Sequence, residues 1–344
     1  MISNKKIYFS ALISLYLVYL VIFAGGTVRM TESGMGCPDW PKCFGYYIPP
    51  SNISDLEWKK NHSYKIDQII IKDQSLLVAD KDFVSGESIV LDNWKNYTKH
   101  DYAEFNATHT WIEFINRLLG ALAGLSTLIL FIFSINYIKK NKIIFFSSFL
   151  VLIGMLFQAW LGKIVVDSNL LPLRVSLHML MAFLIIFGLT YLLFITSKKT
   201  FNSPVPKKIK FLVIFTFILL IFQIIVGTQV RQFIDLQIDD LGQEKKEMWL
   251  ELAPFKFYFH RSFSTLIFCS NLFIYYVFKK NNWNIYFLNW IMLILIIEII
   301  IGAIMYYFSF PFSTQPIHLL LSAFLFGIQS YFIFSIYNPI NKIS

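Results

Sequence analysis

Apolar residues run along this chain in eight long stretches, each about the 20 residues that a helix needs to cross a bilayer. They are Ile7–Thr27, Trp111–Ile135, Ile143–Lys163, Leu173–Thr196, Ile209–Val230, Phe257–Phe278, Asn284–Phe308 and Pro316–Tyr337. The pattern predicts an all-α polytopic membrane protein with eight transmembrane helices. The first stretch is longer than the apolar run of a signal peptide, and no small-x-small cleavage site follows, so it reads as a retained helix. One connection breaks the rhythm. Segment 30–110 is polar and weakly periodic, carries 12 acids and 8 lysines, and reads as a small cap or a flexible loop.

Composition agrees with the pattern. Hydrophobic residues make up 56% and charged residues 15% of the 344, where a soluble chain carries about a quarter charged. A soluble enzyme and a basic, disordered nucleic-acid binder are both excluded; the surrounding medium is membrane lipid. The net charge of +9 is informative only through its placement. Thirteen lysines lie at the N-terminus (Lys5, Lys6), in the 2–3 loop (Lys139, Lys140, Lys142), the 4–5 loop (Lys198, Lys199, Lys207, Lys208, Lys210), the 6–7 loop (Lys279, Lys280) and the C-terminus (Lys342), with no acidic residue among them. The remaining 17 basic residues face 21 acids elsewhere, a balance of −4. Such a bias places both termini in the cytoplasm.

The chain repeats itself. Gly25-Gly-Thr-Val-Arg29 of helix 1 matches Gly227-Thr-Gln-Val-Arg231 of helix 5, and Glu113-Phe-Ile-Asn116-Arg117 matches Phe257-Tyr-Phe-His260-Arg261. Gly162 precedes His178 by sixteen residues, as Gly302 precedes His318; Gln158 and Glu298 each precede their glycine by four. Four crossings return the chain to its starting side, so the two four-helix bundles, residues 1–200 and 201–344, form a parallel repeat.

Three of the six histidines lie inside helices, namely His178, His260 and His318, each near the outer end of an even-numbered helix. A lone intramembrane histidine is often only an interhelical hydrogen-bonding residue. Three at one depth point instead to imidazole pairs of the kind that hold haem iron in four-helix bundles. The pair of the second half is His260 and His318; in the first half it would be position 116 and His178, but position 116 is Asn116. Arg29, Arg117, Arg231 and Arg261 lie on the same side. Guanidinium groups there suit the two propionates of a haem, against the plainer reading of interfacial snorkelling. Glu113 has an apolar counterpart, Phe257, so an ionisable group enters one half only. It reads as a functional carboxylate or as an i,i+4 ion pair with Arg117. Cys37 and Cys43 lie on the outer side, where a disulfide is the leading reading and a metal pair the lesser one. Cys269, inside helix 6, reads as a small core residue.

With these residues in place the chain resembles the haem A synthase family of bacterial and mitochondrial membranes. Gly25-Gly-Thr-Val-Arg-Met-Thr-Glu-Ser-Gly34, Glu113-Phe-Ile-Asn-Arg117 and the histidines of helices 4, 6 and 8 carry the likeness. The resemblance covers all eight helices and implies oxidation of the C8 methyl group of haem O to the formyl group of haem A. It implies a haem b held by His260 and His318, with Arg231 and Arg261 beside it, and substrate haem O in the first half against His178, Arg29 and Arg117. By the same resemblance Glu113 is the family's catalytic carboxylate, and Cys37 and Cys43 match a cysteine pair of many bacterial members. The departure is Asn116, where the family usually has histidine; His109, seven residues earlier, is an alternative iron ligand about 10 Å further out. Expected partners are haem O, a haem O synthase that hands it over, and a quinone or other electron acceptor. The expected location is the inner cell membrane, with the haem sites near the outer face. Two other readings are a two-haem cytochrome b-type electron-transfer subunit and a haem carrier or assembly protein.

Overall fold

The apolar stretches become eight long α-helices in the computed structural model, which describes residues 4–73, 75–98, 104–168, 170–197 and 204–337. Lys198, Lys199 and Lys342 of the charge argument lie outside these residues. The helices are α1 (Asn4–Met30), α2 (Ala107–Ser134), α3 (Lys142–Asp167), α4 (Pro172–Thr196), α5 (Lys207–Leu241), α6 (Phe255–Lys280), α7 (Tyr286–Tyr307) and α8 (Thr314–Tyr337). Seven are long and apolar enough to cross a membrane. The eighth, α6, has 26 residues but carries Lys256, His260, Arg261 and Asn271. Leu150, Leu184 and Phe211 are among many large apolar side chains exposed on the helices, as expected where lipid is the solvent. Cys269 is exposed as well, which corrects its assignment to the core.

Two compact units result, and they cut across the sequence repeat. One contains Met1–Phe23, Leu122–Gln158 and Met179–Ser344; the other contains Ala24–Ala121 and Ala159–His178. Packing explains the first. Tyr19 of α1 meets Phe324 of α8 at 4.3 Å between ring centroids, and Phe183 of α4 meets Phe326 at 5.1 Å. In this unit α5 and α7 each pack against both α6 and α8, so the four helices close a ring in which α6 and α8 are diagonal.

Helix α5 is longer than predicted. Its 35 residues span roughly 52 Å, well beyond the roughly 30 Å hydrocarbon core. Ile234 and Ile238 on the added turns bury against Trp249, with Phe310 packed alongside. Gly242 ends the helix at φ 78°, the left-handed conformation that glycine supplies most readily.

The second unit holds a folded cap rather than a loop, and its strands qualify the all-α expectation. Strands β2 (Ile69–Lys72), β3 (Ser75–Ala79) and β5 (Trp94–Asn96) form an antiparallel sheet in the order β2-β3-β5, and β1 (Ser63–Tyr64) pairs with β4 (Phe83–Val84). The register sets Ile69 opposite Val78, Ile70 opposite Leu77 and Ile71 opposite Leu76. Alternation then sends Ile69, Ile71, Leu76 and Val78 to a cluster around Cys37, Cys43 and Phe44. Ile70, Leu77 and Ala79 go to another around Tyr64 and Trp94. Both faces are covered, so the strands read as unbroken apolar runs.

Candidate active site

In the capped unit, the chain after α1 folds back onto the start of α2. Gly36 permits this: a Cβ there would lie 2.5 Å from the carbonyl oxygen of His109. Thr110 Oγ1 donates to the Gly36 carbonyl at 2.8 Å. Beyond Gly36, Cys37 and Cys43 are joined in the expected disulfide. The loop it closes surrounds Glu113, which is 3% exposed. Cys37 N–H donates to Glu113 Oε2 at 2.7 Å, while Glu113 Oε1 accepts from Arg117 Nη2.

Arg117 thus forms the i,i+4 pair with Glu113, and it does more. Its Nη1 donates to the carbonyls of Asp39 (2.6 Å) and Lys42 (3.0 Å), and Nη2 also donates to that of Cys37 (3.1 Å). Both terminal nitrogens are engaged inside the unit, so Arg117 holds the disulfide loop to Glu113. Asp39 Oδ2 accepts from Gly45 N–H at 2.9 Å. Burial pushes the Asp39 carboxyl above its usual range, opposed by backbone N–H groups and by Arg117. The Tyr97 hydroxyl donates to the Pro38 carbonyl and ties the loop to the sheet side of the cap.

The same unit holds the other first-half candidates. His178 Cε1 lies 3.3 Å from where a Cβ on Gly162 would sit, and Asn116 Oδ1 lies 3.9 Å from that position on Gly25. Asn116 Oδ1 is buried without a hydrogen-bonding partner. His109 stands in the first turn of α2, where its N–H donates to the capping Asn106 Oδ1 at 3.2 Å. Seven residues separate it from Asn116, about 10 Å along the axis. Arg29 ends α1. Arg174, one turn before His178, was not singled out from sequence; its Nη1 donates to the Ile164 carbonyl at 3.4 Å.

In the other unit, His260 on α6 and His318 on α8 belong to diagonal helices of the closed ring. Their register follows from a deeper contact. Buried Gln329 Nε2 of α8 donates to Asn271 Oδ1 of α6 at 3.1 Å. The two helices run in the same direction, and eleven residues back from each of these positions stand His260 and His318. Eleven residues are close to three full turns, about 16 Å of rise. The imidazoles therefore return to the same interior face at matching levels. Gln223 Nε2 donates to the His260 carbonyl at 2.9 Å, and the His318 Nδ1 lies against the Glu298 carboxylate. Arg231 pairs with Asp235 at 2.8 Å. Arg261 lies 5.4 Å from the ring centroids of both Tyr258 and Tyr306.

Glycine faces each aligned position. Gly25 faces Asn116, Gly162 faces His178, Gly227 faces His260 and Gly302 faces His318. The spacing to an added Cβ is 2.9 Å at Gly227 and 4.0 Å at Gly302. Gly227→Ala must therefore displace the His260 ring, whereas Gly302→Ala meets only ordinary van der Waals contact. We expect Gly227→Ala to reduce the haem that co-purifies with the protein at least several-fold and Gly302→Ala to leave it near wild type. Equal haem content in both variants would remove the cradle role from Gly227.

Long apolar helices, paired interior imidazoles and a buried carboxylate define a multi-pass membrane protein built to handle a haem-type group. The chain belongs to the family described as COX15-CtaA, cytochrome oxidase assembly protein, whose model matches residues 9–80 and 91–330. It is 24% identical over 340 residues to the heme A synthase of Ehrlichia canis (strain Jake), covering 91% of this chain and 88% of that one. It is 25% identical over 347 residues to the heme A synthase of Wolbachia pipientis wMel, covering 92% and 89%. With that of Flavobacterium johnsoniae (strain ATCC 17061) the identity is 22% over 362 residues, covering 96% and 97%.

Proposed function

We propose that this protein is a haem A synthase, an oxidoreductase that converts the C8 methyl group of haem O into the formyl group of haem A. Full-length similarity to heme A synthases supports the activity. The observation that carries the division of labour is the asymmetry of the halves: Glu113 is buried beneath the disulfide loop, and its counterpart is Phe257. All eight helices cross the inner membrane as two parallel-repeat bundles with both termini in the cytoplasm, which places the cap and the histidines toward the outer face.

The second bundle fits haem b. Its donor set is two imidazoles at one level on diagonal helices, with a glycine facing each ring. His260 and His318 would hold it, and Arg231 on α5 and Arg261 on α6 would be the guanidinium groups available to its propionates. Bound there, a haem b supplies one-electron transfer toward a quinone or another redox protein. In the first half His178 is the axial ligand for substrate haem O. Asn116 leaves the opposite face without a protein imidazole at that position, and His109 is the alternative donor two turns away. Arg29 and Arg174 are the guanidinium groups available to the substrate's propionates.

Glu113 acts on the methyl group. Cys37 N–H, Gly36 N–H and Arg117 fix the carboxylate in place, yet with about four lone-pair sites in all it keeps one open. Through it the carboxylate accepts a proton from the methyl carbon or balances positive charge developing there. A cytochrome b-type electron-transfer subunit would have no use for such a group in one half.

Co-expression with a haem O synthase, followed by acid extraction and chromatography of the haems, tests the assignment. We expect haem A to appear at the expense of haem O. Accumulation of haem O with no haem A would refute the enzyme.

A further inference from the structure

We propose that Glu298 is a positioning residue for His318 and holds down the reduction potential of the haem in the second bundle. The proposal rests on the assignment of His260 and His318 as paired axial ligands, and it adds an asymmetry between them. Glu298 lies on α7, an otherwise apolar helix, and is 8% exposed. Its Oε2 lies against His318 Nδ1, and neither carboxylate oxygen, both buried, has another hydrogen-bonding partner among the described residues. The imidazole is thus the group to which this carboxylate is directed. A ring that gives its Nδ1–H to a carboxylate turns Nε2 the other way, toward the bundle interior, and becomes a more electron-rich ligand. Electron-rich axial ligation favours ferric over ferrous iron and so lowers the potential.

The partner ligand is held differently. On α5 the residue four before the facing glycine is Gln223, as Glu298 stands four before Gly302. Gln223 is neutral, and its amide donates to the His260 backbone carbonyl rather than receiving the ring. The two imidazoles therefore sit in matched cradles, one backed by a carboxylate and one by an amide. The charged side biases electrons onward from this haem instead of letting them collect on it.

The test is a potentiometric titration of purified protein carrying its low-spin haem, with ferric EPR spectra of the same samples. Glu298→Gln keeps the size and an acceptor oxygen but removes the charge. We expect its midpoint potential to rise and its low-spin g values to shift, with haem content retained. Glu298→Asp keeps the charge and should stay closer to wild type in both. A Glu298→Gln protein with full low-spin haem and an unchanged potential overturns the proposal. So does loss of haem from both variants alike, since charge would then not be what matters. Failure of the underlying assignment looks different: His318→Ala would keep a normal low-spin haem.

Discussion

Replacing His318 with alanine is expected to abolish low-spin haem in the second bundle and, with it, the conversion of haem O. Absorption spectra and haem extraction of the purified variant measure this. The size of the effect follows from the register set by Gln329 and Asn271, which leaves one imidazole from each diagonal helix at the level of the site. Removing either leaves a single protein ligand. His260→Ala should therefore lose the same low-spin signal. The two variants should nevertheless differ in stability. His318→Ala strands the buried Glu298 carboxylate, and an orphaned buried polar group costs about 1–3 kcal/mol, more when charged. In His260→Ala the Gln223 bond to the backbone carbonyl persists. His318→Ala should thus unfold at a lower temperature than His260→Ala, and adding Glu298→Leu should recover stability without recovering haem. Normal low-spin haem in both histidine variants would dismantle the paired-ligand site.

The second large effect is expected at Glu113. Glu113→Gln should retain haem b but slow haem A formation by about 10²–10⁴-fold, the usual contribution of a positioned acid or base. The variant also disturbs structure, because the amide nitrogen must face one of two donors, Cys37 N–H or Arg117. Arg117→Gln separates the two effects. It releases the carbonyls of Cys37, Asp39 and Lys42 but leaves the carboxylate in the pocket. If Glu113 is the reacting group, Glu113→Gln loses far more rate than Arg117→Gln, and the double variant is little worse than Glu113→Gln alone. If Glu113 is only an ion-pair partner, the two single variants lose equal amounts, with matching falls in thermal stability. Turnover of substrate and a melting curve of each protein decide between these outcomes.

Much of this was legible in the chain. Long uninterrupted apolar runs allow little besides helices, since backbone polar groups in lipid must be satisfied within the segment. The aligned Gly25, Gly162, Gly227 and Gly302 were visible as a repeat, but their use was not. Only the folded helices show that each faces the side chain at an aligned ligand position. The cap was one of two readings of its segment, and its strands went unseen for a related reason. Its strands bury both faces, so Ile69-Ile70-Ile71 and Leu76-Leu77-Val78 lack the alternation that marks a half-exposed strand. The end of α5 was missed because Phe233, Ile234 and Ile238 become a core only beside Trp249 and Phe310, which come later in the chain.

Sequence alone located the long apolar helices, the histidines and the single extra carboxylate, because these are properties of residue type and local spacing. Tertiary structure decided what each polar group is bonded to. It made Arg117 the clamp that joins Glu113 to the disulfide loop, and it set Glu298 against His318. Those choices depend on which donor and acceptor meet across helices and loops up to 80 residues apart. In a low-dielectric interior each such group must find a partner or carry a large penalty, and that matching is a property of the whole fold.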